Sequence, residues 1–417
     1  MIKRLKPKSE FSRNVLTLMT GTTIAQTIPI LIMPTLTRLW SPEEFGVFAT
    51  YMALVAILGV ISTGRLDMAL MLPKKNENAL RIMLVALMMS LIFVLLLYPI
   101  IFAVDELEFV LGISVHDWHY LVPLGVFLYG FYALMIAWHN RNKNYGLMSQ
   151  SRVIQSSSIS FSQMVVGLFV KFNLGLIVSD LLGRLISIIL IIKSTGLLNL
   201  KIQFHMVKKF ALLKRYKKFP LLEAPASLVN VSAHQLPFIV FPLIFSPVVA
   251  GLYFLVFRVL MMPASLVGTA VLEVFKNRAQ EDFIKIGSCR IIFKKTGFIL
   301  FLIGLIPAMT LILFAPCLFA FVFGEEWREA GEYAQILAPL ALAQFVSAPL
   351  SYVLVFREKL FLDLKLQLIF LVLVVLTLLF AAEFMSVTIA IWLLMVSGCI
   401  FYLTQIAFSY KYAEEVI

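Results

Sequence analysis

Apolar blocks of about twenty residues, the length of helix that crosses the hydrocarbon core of a bilayer, recur from one end of this chain to the other, with only short polar clusters between them. Of 417 residues, 61% are hydrophobic and only 14% charged, whereas a globular protein carries roughly a quarter charged residues. A soluble fold is excluded. The expected class is all-α integral membrane.

Splitting the chain at its polar clusters predicts twelve transmembrane helices near 14–36, 46–66, 80–103, 119–139, 150–170, 176–193, 219–245, 250–272, 296–316, 333–355, 363–382 and 387–409. The opening MIKRLKPKSEFSR resembles the basic flank of a signal peptide. The apolar block after it is too long for one and lacks a small-residue cleavage site, so it reads as the first span. The net charge of +12 follows topology and gives no nucleic-acid footprint, because the basic residues gather on every second connection. Only Arg38, Lys171 and Arg328 fall in outer loops, and Arg65, Arg184 and Arg258 lie within spans. The other Lys and Arg residues lie on the inner side. This bias predicts a multi-pass membrane protein with both termini in the cytoplasm.

The longest polar connection, 194–218, carries KIQFHMVKKFALLKRYKK and reads as a basic amphipathic linker on anionic lipid. It divides the chain into two expected six-helix bundles, 1–193 and 219–417. The halves echo one another. Gln26 precedes Pro29 and Pro34 in the first span, as Gln235 precedes Pro237 and Pro242 in the seventh, and Gly46 and Gly251 open the spans that follow. A pseudo-two-fold repeat with proline-interrupted helices at matching places points to a central site between the bundles.

Spans one, five and seven are unusually polar. The first holds Thr20, Thr22, Thr23, Gln26 and Thr27, the fifth reads QSRVIQSSSISFSQ, and the seventh holds Glu223, Asn230, Ser232, His234 and Gln235. Such groups line water or pack between helices. A charge at mid-bilayer costs roughly 2.5–3.5 kcal/mol on insertion scales, so ionisable residues inside spans face partners or water. Asp180 and Arg184 are four apart on one helical face and suit an intrahelical ion pair. Arg65 and Asp67 lie at the inner end of the second span, with Glu273 another boundary residue. Arg258 sits deep in the eighth span with no acid beside it in that helix, and Glu223 is a candidate partner. His234 reads as a packing residue or a proton relay. Cys289, Cys317 and Cys399 have no metal-ligand spacing; no metal or cofactor is expected beyond a coupling H⁺ or Na⁺.

The stretch AQTIPILIMPTLTRLWSPEEFGVFATYMA, followed by GRLDMALMLPKKNENA, resembles the N-terminal signature of bacterial polysaccharide repeat-unit (O-antigen) flippases of the MOP superfamily. The matching residues are Pro34, Arg38, Leu39, Ser41, Pro42, Glu43, Phe45 and Gly46. In the second half, Pro220, Gln235, Pro237, Gly251, Tyr253, Arg258 and Pro263 are similar to that family's seventh and eighth spans. The resemblance implies two six-helix bundles around a cleft open alternately to each side. The implied substrate is an oligosaccharide unit on undecaprenyl diphosphate, with a polysaccharide polymerase and chain-length regulator as partners. A diphosphate needs a hydrated, cationic path, for which guanidinium groups are suited. Arg38, Arg65 and Arg258 are the candidate substrate-binding residues; Asp67, Asp180, Arg184, Glu223 and His234 are candidates for ion coupling or charge pairing. Two other readings stand beside this one. A multidrug exporter of the same superfamily predicts acidic cavity residues. A membrane polymerase or ligase predicts a substantial outer loop, and the loop holding His116, Asp117 and His119 is short and acidic.

Overall fold

A computed structural model describes residues 10–110, 117–170, 172–195 and 214–414. The basic N-terminus, most of the linker, His116 and Lys171 lie outside the described residues, as do the side chains of Asp117 and Glu273.

Twelve helices of twenty residues or more follow one another among the described residues, one for each expected span. They are α1 (Glu10–Leu39), α2 (Pro42–Ser62), α3 (Asn76–Val110), α4 (Val122–Arg141), α5 (Tyr145–Phe169), α6 (Gly175–Thr195), α7 (Ala224–Ile244), α8 (Pro247–Ile286), α9 (Arg290–Phe323), α10 (Arg328–Leu350), α11 (Leu360–Phe384) and α12 (Val387–Lys411). Nine helical segments among the described residues are long and apolar enough to cross a membrane. The exceptions are α1, α5 and α8. In α8 the qualifying apolar stretch, Pro247–Met261, is the shorter one.

The two polar helices, α1 and α5, pack together. Arg152 donates to the Thr22 hydroxyl at 2.6 Å, and the Ser156 hydroxyl donates to the Ala25 carbonyl. Arg152 and Ser156 are one helical turn apart, so α5 turns a single polar face to α1. Part of the polarity of these two spans is thus satisfied between the helices, while Thr20 and Thr27 bond to carbonyls of their own helix.

The chain divides into two compact units. One comprises residues 1–39 and 50–231, the other 40–49 and 232–417. Within the first, α3 packs on α4, α4 on α6 and α5 on α6. Within the second, α9 packs on α10, α10 on α12 and α11 on α12. The same three pairings recur six helices later, as an internal repeat requires.

The second unit contains the start of α2 as well as that of α8. Both helices open on Ser-Pro with glycine four residues after the proline: Ser41, Pro42 and Gly46 in one, Ser246, Pro247 and Gly251 in the other. Each serine hydroxyl caps its helix, accepting from Glu44 N at 3.3 Å and from Val249 N at 3.4 Å. Each proline occupies the first helical position, where a missing N–H costs nothing. The two glycines cross face to face. A Cβ on Gly46 would stand 1.8 Å from the Pro247 carbonyl oxygen, and one on Gly251 would stand 1.8 Å from that of Pro42. Phe45 seals the crossing against Trp327, their rings 5.1 Å apart and edge-on.

Candidate functional site

The ionisable residues expected inside spans fall into separate settings. In the first unit, Asp180 and Arg184 form a buried ion pair on α6, Arg184 Nε donating to Asp180 Oδ2 at 2.7 Å. The spacing places both on one helical face. Arg184 also lies 5.8 Å from the centre of the Tyr129 ring, and a terminal guanidinium nitrogen reaches Met52 Sδ at 3.7 Å. The fully buried Tyr51 faces the same pair. This cluster is closed to solvent.

Arg65 sits beyond the end of α2, where the chain turns through two left-handed residues, Gly64 at φ 56° and Arg65 at φ 54°. The turn leads into a short helix, Leu66–Ala69. Glycine takes this conformation freely; a residue with a Cβ gives up ~1–2 kcal/mol to do so. Arg65 reaches Asp67 at 3.7 Å and Met68 Sδ at 3.4 Å, while its buried Nε has no hydrogen-bond partner among the described residues. Asp67 also accepts from the Thr63 hydroxyl at 3.4 Å. A non-glycine residue held in this conformation, with donor capacity unspent, is the kind of outlier from which a functional hypothesis starts.

Arg38 is exposed in the last turn of α1 and donates to the Pro34 carbonyl at 3.2 Å. A cation there complements the helix dipole. Glu223 ends a π-helical turn, Phe219–Glu223, that runs directly into α7. It belongs to the first unit and Arg258 to the second.

In the second unit, Arg258 is half-buried on α8, its guanidinium carbon 4.9 Å from the centre of the Phe254 ring one turn earlier. Stacking on an aromatic face stabilises a guanidinium. His234 lines a small cavity of about 40 Å³ together with Tyr253, Gln344, Phe370 and Tyr402. Its ring lies 5.5 Å from that of Phe370. The cavity is aromatic with polar groups on its wall, and its size suits water rather than a ligand.

Residues 35–332 match the family described as polysaccharide biosynthesis protein. The chain belongs to this family. No curated protein matches the chain. Several solved structures share the fold of this polysaccharide biosynthesis protein at low identity. A MOP superfamily transporter from Pyrococcus furiosus, described as having a binding pocket of reverse polarity, is 15% identical with a TM-score of 0.62, covering 96% of this chain and 95% of that one. An inward-facing multidrug resistance MATE family transporter of the same superfamily is 12% identical with a TM-score of 0.63, covering 95% and 94%. An outward-facing MATE transporter is 14% identical with a TM-score of 0.62, covering 96% and 95%. This polysaccharide biosynthesis protein is therefore a multi-pass helical membrane protein with the MOP transporter fold.

Sequence reasoning passed over several polar residues. Arg152 stood in a serine-rich span with no periodic signal to separate it from its neighbours. Asp363 begins α11 and accepts from Gln367 at 2.7 Å and from Gln405 of α12 at 3.4 Å, and Gln405 in turn accepts from Ser347 of α10 at 2.8 Å. This network joins the three consecutive helices α10, α11 and α12. Arg141 clamps the connection between α2 and α3, donating to the carbonyls of Leu70 at 2.9 Å and Pro73 at 2.6 Å and to the Asn76 side chain at 3.1 Å.

Proposed function

We propose that this protein is a flippase that moves oligosaccharide units linked to undecaprenyl diphosphate from the cytoplasmic to the periplasmic face of the bacterial inner membrane. The observation that carries this reading is the pairing of a polysaccharide biosynthesis family with the fold of MOP transporters in one chain. Biosynthesis and translocation meet in a single step when a lipid-linked sugar unit made on one face is used on the other.

The residue chemistry supports it. The polar head of such a substrate carries a diphosphate, which must cross the apolar core while its chain stays in lipid. Guanidinium groups bind phosphate through forked donors and remain charged at any physiological pH. Arg258, stacked on Phe254, and Arg65, with an unspent donor, are suited to that role, and Arg38 supplies a third cation near the other end of the path. In this reading the chain forms two bundles, 1–193 and 219–417, joined by the basic linker 194–218, with both termini cytoplasmic. A polymerase and a chain-length regulator would act on the delivered unit. Moving negative charge outward is downhill in a cell that is negative inside, by roughly 2.3 kcal/mol per charge per 100 mV. Asp67, Glu223 and His234 are the groups we assign to any returning H⁺ or Na⁺.

Multidrug export is the second reading, favoured by the MATE transporters among the solved structures. Deleting the gene separates the two. Repeat units trapped on the cytoplasmic face, with surface polysaccharide lost, are expected of the flippase. Unchanged polysaccharide with new sensitivity to cationic drugs would transfer the assignment to an exporter.

A further inference from the structure

The second unit contains an apolar groove of about 180 Å³ between α8, α9 and α10. Its floor is formed by buried Leu260, Ala308, Ala338 and Phe345, and its mouth by Ile303 and Val267, which are 48% and 39% exposed. Pro307 and Gly304 of α9 lie on the wall. Proline removes a backbone hydrogen bond and opens the helix locally, while the small side chains opposite it leave space unfilled. Ile306, 73% exposed on the same side of α9 as the mouth, places the opening on a face suited to lipid.

Depth sets this groove apart from an ordinary lipid contact. On α9, Ile303 to Leu311 lie about 20–32 Å from the Arg290 end of a helix about 51 Å long, the middle of the span. On α8, Arg258 directly precedes Val259 and Leu260, the first two residues of the groove wall. Successive helical side chains turn by about 100°, so α8 presents its guanidinium on one side and the groove on the other at one level. A phospholipid keeps its phosphate at the membrane surface. A diphosphate drawn down to Arg258 carries the first carbons of its chain to mid-bilayer, where they need an apolar seat beside the cation.

We propose that this groove is the seat of the isoprenoid chain of the substrate, engaged while the diphosphate is held at Arg258. The assignment rests on the flippase reading and adds to it a second binding site, chemically distinct from the cationic one. It makes helix α8 a partition, with the polar head on one side and the chain on the other.

The test is photocrosslinking in nanodiscs with a synthetic polyprenyl diphosphate bearing a diazirine in its first isoprene units. Diazirine-labelled phosphatidylglycerol at the same mole fraction is the control. Adducts concentrated on 303–311 of α9 and 338–345 of α10, competed by unlabelled polyprenyl diphosphate and lost in Arg258→Gln, are expected. Ala338→Phe fills the floor, and Ala341→Phe, at a half-buried position of the mouth, fills it with less risk to folding; each should lose the adducts. Adducts spread evenly over lipid-facing helices, or equal groove labelling by phosphatidylglycerol, would overturn the assignment. Transport of lipid-linked oligosaccharide that persists without groove labelling would overturn the groove alone. Specific groove labelling without transport would uphold the groove and count against the flippase reading.

Discussion

The Asp180–Arg184 pair gives the most quantitative expectation. Two unit charges 2.7 Å apart attract by about 6 kcal/mol at an effective dielectric constant near 20. Burial offsets much of this, since each ion loses hydration worth several kcal/mol. The pair as a whole is then near neutral against a well-packed apolar replacement, while either charge left alone is strongly unfavourable. Asp180→Leu and Arg184→Met should each destabilise the protein by about 3–5 kcal/mol. The double variant should recover most of that loss, giving a coupling energy of at least about 2 kcal/mol. Thermal or denaturant unfolding of the purified protein in one detergent, followed for all four forms, measures the cycle. Transport by the double variant then separates a packing role from a functional one. Single variants within about 1 kcal/mol of the parent, or a double variant no more stable than the worse single, would refute this account of the pair.

The Gly46–Gly251 crossing should tolerate no side chain. Gly46→Val or Gly251→Val forces two backbones apart at a cost of about 1–3 kcal/mol or more. The two together should cost less than their sum, because one displacement relieves both contacts; unfolding of the two singles and the double checks this. Cys289 is fully buried, and burial pushes its thiol up to about 11. At neutral pH it is protonated and shielded, so a maleimide should leave Cys289 unmodified in the folded protein and label it after denaturation, as read by peptide mass spectrometry. Arg141→Ala removes three bonds to the connection between α2 and α3. It should expose 70–76 to limited proteolysis in inside-out vesicles without altering the helices, as read by circular dichroism.

The helix count was legible because most spans are continuous apolar runs bounded by charge, a signal carried by single residues and their neighbours. The polar spans were legible as anomalies, and the reason for two of them lay outside the sequence: Thr22 and Arg152 are 130 residues apart, and nothing local shows that their helices pair. The Asp180–Arg184 contact could be anticipated because it lies within one helix. The Asp363–Gln405–Ser347 network could not, since it joins three helices. Gly46 and Gly251 were visible as repeat-related residues, yet only the fold shows that one crosses the other. Arg65 illustrates a different limit, because its left-handed backbone is imposed by the tertiary turn and leaves no trace in residue type.

The most direct test of the central claim is translocation by the purified protein in proteoliposomes. A fluorescent oligosaccharide linked to undecaprenyl diphosphate would be placed on one leaflet and its arrival on the other read by an impermeant quencher. Translocation by the parent protein, lost in Arg258→Gln and retained by a folded surface variant such as Glu326→Gln, is the predicted result. Translocation no faster than in empty liposomes under every imposed membrane potential and ion gradient would contradict the account.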